Sequence, residues 1–385
     1  MDQSRLLAIA NRFALPAAAT AVEPLGNGNI NDTYLVHTAS GERAVLQRIN
    51  TRVFERPDLV MANLAVLTAH ASAQAAQQKT QQETQQEDQG WQLPRPIACG
   101  PQGPVPPAAA AEGPTCPTWL EERGEVWRML SYVAGCVSHD TVQSLDHARE
   151  VGRALGRFHH LVADLPGERL HDTLEGFHVT PRYLEHYRRV QADTTLPPCP
   201  ESSWCRRFVE QRLDLVPVLE QAREAGRLRL RAIHGDPKVN NVMVSATSGR
   251  AVALVDLDTV KPGLLHTDIG DCLRSACNPA GEETTDLEAV QFDLELAGGL
   301  LGGYLEEARS CLSPCDLDLL YDAIRLLPFE LGLRFFTDHL AGNVYFKASH
   351  PRHNLERALV QFRLTESIEA QAGEIRRLIQ QLSCR

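Results

Sequence analysis

The stretch "IHGDPKVNNVMVSATSGRAVALVDLD", residues 233–258, decides how this chain is interpreted. Two apolar runs, "VMVS" and "AVALV", flank a turn that contains Ser and Gly, which predicts a β-hairpin. The pattern H-x-D-x4-N stands before the first run, and D-x-D follows the second. We therefore expect one hairpin to bring Asp236, Asn241 and Asp256 close together.

These three side chains carry oxygen atoms that suit phosphate chemistry. Mg²⁺ takes a few protein oxygen ligands and keeps the rest of its shell for water and phosphate, so Asn241 and Asp256 predict a magnesium site. Asp236 then remains to orient or deprotonate an attacking hydroxyl, as kinase-type phosphoryl transfer requires. In the structural alternative, Asp236 and Asn241 cap a turn and Asp256 ends a strand in solvent. Each acid alone fits that alternative, whereas the joint pattern favours the site.

The composition of the chain indicates a globular protein and argues against some classes of partner. The 385 residues are 43% hydrophobic and 23% charged, close to the globular average, and the formal net charge is -11 without a basic stripe. This charge argues against a nucleic-acid partner. The ten cysteines include no C-x-x-C pair, the first residues lack a secretory signal, and no run of 18 apolar residues is uninterrupted. We therefore expect a cytoplasmic protein with reduced thiols and no membrane span. We also expect a monomeric or weakly dimeric state.

The order of strand and helix patterns along the chain predicts an α+β, bilobal architecture. Residues 1–130 show strand patterns around a glycine-rich turn and predict a small β-rich N-terminal lobe. A Gln-rich insertion at 71–90 extends a helix or forms a loop, and a second, Pro/Ala-rich insertion occupies 100–114. Residues 131–136 form the expected lobe connector. Residues 137–385 carry long amphipathic helix patterns and predict a larger, mainly helical catalytic and substrate-binding lobe.

The 233–258 stretch resembles the catalytic core of the aminoglycoside phosphotransferase/choline kinase group of the protein-kinase-like fold. That group has H-G-D-x4-N followed by I-D-x-[DE], and the matching positions here are His234, Gly235, Asp236, Asn241, Asp256 and Asp258. The resemblance implies that ATP is the phosphate donor, that Asp236 is catalytic, and that Asn241 and Asp256 hold Mg²⁺. It also implies that His234 and the Asp268 of "DIGD" brace the backbone. Lys238 either neutralises the transferred phosphate or is a solvated turn lysine.

The resemblance assigns nucleotide contacts to the N-terminal part of the chain. The "GNGNIND" segment occupies the place of a glycine-rich loop over ATP, with contacts expected from Gly26, Asn27, Gly28 and Asn29. Ser131 and Val133 would hold adenine through the connector backbone. Gln47 stands where such kinases usually place a lysine, with Arg48 beside it on the opposite strand face. Either Gln47 contacts phosphate as a neutral donor or a bulge redirects Arg48, and Asn63 would be the helix partner.

Several segments resemble the N-acetylhexosamine 1-kinases within this group. They are "GNGNINDTYLV", "GFHVTPRY", "HGDPKVNNV" and "ELGLRFFTDHLAGNVYFK". This resemblance implies phosphorylation of the anomeric hydroxyl of N-acetylglucosamine or N-acetylgalactosamine. The sugar-binding residues that it implies are Asp236, Arg334 and Tyr345, with Phe177 and His178 as further candidates. Asp338 would face the sugar or pair with Arg334, and the structural alternative makes Arg334 a surface residue and Tyr345 a core residue.

Two other functions stay open at this point. The fold could act on another alcohol acceptor, such as an amino alcohol, which would call for an acidic or aromatic cage near Arg334. A nucleotide-binding pseudokinase is the other alternative, because Gln47 departs from the usual lysine. The presence of Asp236, Asn241 and Asp256 argues against it, since a protein that only binds nucleotide has no need of the base.

Overall fold

The computed structural model describes residues 2–26, 30–81, 91–100 and 117–384. Asn27, Gly28 and Asn29 of the predicted nucleotide loop lie outside this range, as do residues 82–90 of the first predicted insertion and 101–114 of the second. The chain divides into two compact units. The first comprises Met1–Gly135, Glu168–Leu174 and Leu257–Val260, and the second comprises Cys136–Gly167, Glu175–Asp256 and Lys261–Arg385.

The first unit is built on an antiparallel sheet. Its elements are α1 (Gln3–Ala10), β1 (Ala19–Pro24), β2 (Asp32–Thr38), β3 (Arg43–Ile49), α2 (Pro57–Gln81), β4 (Pro96–Ile97), β5 (Trp119–Glu122) and β6 (Glu125–Ser131). The strand order is β1-β2-β3-β6-β4, and β5 also pairs with β6. Leu46, Trp127 and Met129 are completely buried in the core of this unit. The β3–β6 register sets Gln47 directly opposite Arg128, so the two side chains lie on the same sheet face.

Helix α2 contains a long apolar portion. Its portion Pro57–Ala76 has a mean hydropathy of 1.3, which meets the length and composition of a membrane span. One such helix is weak evidence, because the core helix of a globular protein meets the same criterion. The side chains of Val60, Met61, Leu64 and Leu67 are buried within the protein, and 28% of the apolar window as a whole is buried.

The second unit is mainly helical. Its elements are β7 (Cys136–Val137), α3 (Leu145–Leu161), α4 (Thr180–Asp193), α5 (Pro200–Glu210), α6 (Val218–Glu224), β8 (Arg231–Ile233), β9 (Val242–Ser245), β10 (Ala251–Leu254), β11 (Lys261–Gly263), α7 (Leu265–Ala276), α8 (Leu294–Ala308), α9 (Pro314–Asp318), α10 (Leu320–Leu340), α11 (His353–Ala370) and α12 (Ala372–Ser383). Strands β9 and β10 pair in antiparallel fashion, so the predicted hairpin is confirmed. A short ladder between β8 and β11 brings the two chain segments that flank this hairpin together.

Helices α3 and α8 cross so closely that glycine is required at the contact. A Cβ atom built on Gly152 of α3 would lie 1.9 Å from the carbonyl oxygen of Leu300. A Cβ atom on Gly303 of α8 would lie 2.0 Å from the carbonyl oxygen of Arg149. Since both neighbours are backbone atoms, neither clash can be relieved by a side-chain rotation. The small residues therefore fix the distance between the two helices.

We predict that Gly152→Ala destabilises the protein by about 1–3 kcal/mol, because an added methyl group pushes α3 away from α8. The measurement is the urea midpoint of unfolding, with Gly302→Ala as the matched control. Gly302 lies on α8 with open space at its Cβ position, so alanine there should leave stability unchanged or raise it by up to about 1 kcal/mol. Equal midpoints for the two variants would contradict the close-contact explanation.

Candidate active site

The hairpin gathers Asp236, Asn241 and Asp256 as predicted. The side-chain Nδ2 of Asn241 donates to the carbonyl oxygen of Asp236 at 2.8 Å, and the Val255 N–H donates to the carbonyl oxygen of Asn241 at 2.8 Å. The loop that carries Asp236 is thereby tied to the strand end that carries Asp256. The amide donation by Nδ2 leaves the Oδ1 of Asn241 as a ligand for a hard cation, so the oxygen donor set fits Mg²⁺.

Asp256 has a backbone φ of +62°, in the left-handed region that favours glycine. A non-glycine residue held there carries backbone strain of about 1–3 kcal/mol, and such strain concentrates at functional sites. The conformation follows directly after β10, where the chain leaves the hairpin. Its energetic cost indicates that the position of this carboxylate is imposed by the fold.

The backbone of the loop is held by a fully buried carboxylate, Asp268 of α7. Its oxygens accept hydrogen bonds from the N–H groups of His234 at 2.7 Å and Gly235 at 2.8 Å. The ring of His159 contacts the same carboxylate at 2.9 Å and is itself 2.9 Å from the hydroxyl of Tyr304. Burial alone would raise the pKa of Asp268, but these hydrogen bonds and the nearby imidazoles hold it below its usual value. Asp268 is therefore an ionised brace, which is the role predicted for it.

Lys238 forms an ion pair with Asp236. Its Nζ lies 2.7 Å from the Oδ2 of Asp236, and 29% of its side chain is exposed. Burial alone would lower the pKa of Lys238, but the carboxylates of Asp236, Asp256 and Asp271 outweigh burial and raise it. A positive charge is thus fixed beside the predicted base and the predicted metal ligands.

His178 is held in place through both ring nitrogens. Its Nδ1 is 2.8 Å from the Glu330 carboxylate, and its Nε2 is 2.8 Å from the carbonyl oxygen of Gly235. Glu330 also accepts a hydrogen bond from Thr180 at 2.6 Å. Burial works to lower the pKa of His178, but the Glu330 charge and hydrogen bond raise it above its usual value. The imidazole links α10 to the catalytic loop, and neither nitrogen is left to contact a ligand.

Arg334 of α10 lies in a cage of aromatic rings. Its guanidinium carbon is 5.1 Å from the ring centre of Phe177, 5.0 Å from Tyr183, 5.4 Å from Phe346 and 6.0 Å from Tyr345. These distances are those of cation–π contacts. Among the described residues, Arg334 has neither a hydrogen-bond acceptor nor an ion-pair partner. Its five N–H donors therefore remain available for a ligand.

The loop after α10 is shaped by Asp338. The carboxylate accepts from the N–H groups of Val344 at 2.9 Å, Tyr345 at 2.8 Å and Phe346 at 2.9 Å. It does not pair with Arg334, contrary to one of the two expectations for it. Its effect is to place Tyr345, whose side chain is 48% exposed, and Phe346 against the guanidinium of Arg334.

In the first unit, the side chain of Gln47 is hydrogen-bonded to Arg128. The Oε1 of Gln47 accepts from Nε and Nη2 of Arg128 at 2.9 and 2.7 Å, and its Nε2 donates to Thr33 at 3.0 Å. Arg128, only 1% exposed, also forms an ion pair with Asp258, which accepts from Asn31 at 2.6 Å. The amide of Gln47 is thereby oriented by a buried cation from the neighbouring strand.

The alternative in which Arg48 replaces the strand lysine is wrong. Strands β2 and β3 pair in regular register through this region, so no bulge redirects Arg48. Its guanidinium is bound by Asp32 and Glu125 instead. The prediction of Asn63 as the helix partner of Gln47 is also wrong. Asn63 donates to the carbonyl oxygens of His171 at 2.8 Å and Val260 at 2.9 Å.

The remaining predicted nucleotide contacts fall at turns and strand ends of the first unit. Gly26 has a φ of +68°, which suits a tight glycine turn. Ser131 ends β6, and its hydroxyl accepts from the Arg95 N–H at 2.9 Å. The side chain of Val133 is buried beyond the strand end. These positions leave the predicted roles of Gly26, Ser131 and Val133 as expectations.

Two residues that hold predicted site residues in place, Arg128 and Glu330, were not identified from the sequence. Each is nevertheless recognisable there as a charged residue within an apolar segment. Arg128 is a charged residue inside the buried strand "EVWRMLS", and Glu330 is an acid inside the apolar helix "LLPFELGLRFF". A buried charge requires a partner, so each of these two residues predicts that a partner of opposite charge or a hydrogen-bonding group lies beside it. The partner itself, distant along the chain, could not be read from the local sequence.

Comparison with known proteins identifies the family and the fold. Residues 21–306 match the phosphotransferase enzyme family. Among solved structures, similar folds include a microcompartment-associated aminopropanol kinase (16% identity, covering 96% of this chain and 98% of that one, TM-score 0.58). An amicoumacin kinase in complex with AMP-PNP and Ca²⁺ is also similar (16% identity, 96% and 94%, TM-score 0.56). A third is choline kinase from Cryptosporidium parvum (14% identity, 93% and 90%, TM-score 0.55).

The fold is therefore kinase-like, with an antiparallel sheet in the N-terminal part and a mostly helical remainder, which confirms the predicted α+β class. The family match covers well over half of the chain and includes the whole hairpin. This chain belongs to the phosphotransferase enzyme family.

Proposed function

We propose that the protein is an ATP- and Mg²⁺-dependent kinase that phosphorylates the anomeric hydroxyl of an N-acetylhexosamine. The observation that carries the proposal is the aromatic cage occupied by Arg334, which lies in the same unit as the braced Asp236, Asn241 and Asp256. The family supplies the reaction type, and the cage supplies the argument about the acceptor.

Asp236 is the proposed base, because its loop is fixed by Asp268 from one side and by Asn241 from the other. Orientation of the acceptor hydroxyl by this carboxylate contributes most of the effect, since an anomeric hydroxyl is more acidic than an ordinary alcohol. Mg²⁺, held by Asn241 and Asp256, would neutralise charge on the ATP phosphates. Lys238 places a further positive charge beside the transferred phosphoryl group.

The cage argues for a neutral acceptor that accepts hydrogen bonds. Aromatic faces attract a cation, and in this chain Arg334 already occupies them. A cationic amino alcohol would meet a like charge at this position, which costs binding energy. The unpaired guanidinium donors instead suit the hydroxyl and carbonyl oxygens of an N-acetylated sugar.

An amino-alcohol acceptor remains the second candidate, because the similar structures include an aminopropanol kinase and a choline kinase. The charge of Arg334 disfavours it. A nucleotide-binding protein without activity is disfavoured by the precision with which Asp236 and Asn241 are held, since binding alone does not require a positioned base.

The direct test is product detection by mass spectrometry and phosphorus NMR. Purified protein is mixed with ATP, Mg²⁺ and a panel of free acceptors: N-acetylglucosamine, N-acetylgalactosamine, glucose, galactose, aminopropanol, ethanolamine and choline. A Mg²⁺-dependent N-acetylhexosamine 1-phosphate is the expected product. A phosphorylated amino alcohol with no sugar product would overturn the proposal, as would ATP binding without turnover of any acceptor.

We predict that Asp236→Asn lowers kcat by about 10²–10⁴-fold, because the amide cannot accept the hydroxyl proton. ATP affinity should change little, since the loop backbone remains held by Asp268. Steady-state kinetics and nucleotide titration give the two values, and Asp318→Asn, an exposed acid on α9, is the control. Wild-type turnover in Asp236→Asn would remove this residue from the mechanism.

We predict that Arg334→Ala raises the KM for the sugar at least tenfold while the KM for ATP stays within about twofold, because guanidinium hydrogen bonds to neutral groups contribute about 1–3 kcal/mol when buried. The matched control is Arg325→Ala on the same helix. Arg325 contacts the ring of Tyr321 and pairs with Asp322, so it tests the loss of an arginine from α10 without a change at the cage. Equal changes in both variants would indicate a structural effect only.

A further inference from the structure

One face of α7 runs along the catalytic loop. Asp268 accepts from the N–H groups of His234 and Gly235, and the hydroxyl oxygen of Ser275 accepts from the Val239 N–H at 3.1 Å. Residues three and four apart on a helix lie on the same face. Asp271 is three residues after Asp268 and four before Ser275, so it lies between two anchors of the loop. It therefore faces the loop segment 236–238.

Asp271 has one partnered and one unpartnered carboxylate oxygen. The residue is 6% exposed, and its Oδ1 accepts from the Nε of Arg274 at 2.8 Å. Its Oδ2 is shielded from solvent and has no hydrogen-bond donor among the residues that the structure describes. A buried carboxylate oxygen without a donor is costly, and such a group calls for a functional explanation.

Arg334 is in the opposite situation, because its N–H donors have no hydrogen-bond acceptor among the described residues. Asp271 lies about one helical turn after Asp268 on α7, and Arg334 lies about one turn after Glu330 on α10. Asp268 and Glu330 are both connected to Gly235. Asp268 binds the N–H of Gly235, while Glu330 reaches its carbonyl oxygen through His178. Burial works to lower the pKa of Arg334, but the hydroxyl groups of Tyr183 and Tyr345 and the carboxylates of Glu330 and Asp271 together raise it above its usual value. Asp271 and Arg334 nevertheless form no ion pair, although opposite charges in a shielded site attract strongly.

We propose that Asp271 and Arg334 bind opposite edges of the acetamido group of the acceptor. The Oδ2 of Asp271 accepts a hydrogen bond from the amide N–H, and Arg334 donates to the amide carbonyl oxygen. A trans amide presents its N–H and its C=O on opposite edges, so it matches an acceptor and a donor held apart. This inference rests on the proposed function and adds the group by which the sugar is selected.

The arrangement makes the acetamido group a determinant of specificity. A site built to pair a substrate group leaves its own buried polar atoms unsatisfied when that group is missing, and such sites discriminate by large factors. A plain hexose offers a hydroxyl in place of the amide and cannot satisfy both residues with the same geometry. The wild-type protein should therefore prefer N-acetylglucosamine to glucose strongly.

The test is the ratio of kcat/KM for N-acetylglucosamine to kcat/KM for glucose. In Asp271→Asn, the amide oxygen stays on Arg274 and the NH₂ group replaces Oδ2, so a donor then faces the donor of the substrate. We expect the ratio to fall at least tenfold, and Asp271→Ala should lower it in the same direction. Because both acceptors are measured on one preparation, a fraction of unfolded protein cancels out of the ratio.

Glu282→Gln is the control, because Glu282 is the other carboxylate bound to Arg274, at 3.0 Å. If Asp271 acts only by fixing Arg274, this variant should change the ratio equally, and that result would overturn the inference. An unchanged ratio in both Asp271 variants, with wild-type activity present, would overturn it as well. A wild-type protein that phosphorylates neither sugar refutes the proposed function first and this inference with it.

Discussion

The loop that carries Asp236 depends on one buried carboxylate, that of Asp268. Asp268 accepts hydrogen bonds from two consecutive backbone N–H groups, those of His234 and Gly235, and the ring of His159 contacts the same carboxylate. Charge-assisted hydrogen bonds of this kind are stronger than neutral ones. They hold residues 234–238, which form neither helix nor strand, in one conformation, and the placement of Asp236 and Lys238 follows from that conformation.

Short sequence patterns were sufficient to predict the β-hairpin that carries the candidate site. The apolar runs "VMVS" and "AVALV" and the turn between them predicted β9 and β10. These predictions succeed because hairpin pairing joins residues that are near in sequence. The approach of Asp236, Asn241 and Asp256 followed from the hairpin itself.

Long-range polar contacts could not be predicted in the same way. Gln47 meets Arg128 across 81 residues, and Glu330 meets His178 across 152 residues. A short sequence window shows that such a charge is buried but does not name its partner. The errors over Arg48 and Asn63 have this origin, since each side chain is bound by residues distant along the chain. Arg334 was expected to bind the sugar from the resemblance alone, whereas the proposed role of Asp271 could be inferred only from the structure, which shows its unpartnered Oδ2.

The aromatic cage has a consequence for inhibition. Arg334 is covalently attached to the wall of the site that it fills, so it acts as an intramolecular competitor whose effective concentration is in the millimolar range or above. A free organic cation must displace this tethered group before it can contact the rings of Phe177 and Tyr183. Quaternary ammonium compounds should therefore be poor leads against this protein, and uncharged amides offer the better starting chemistry.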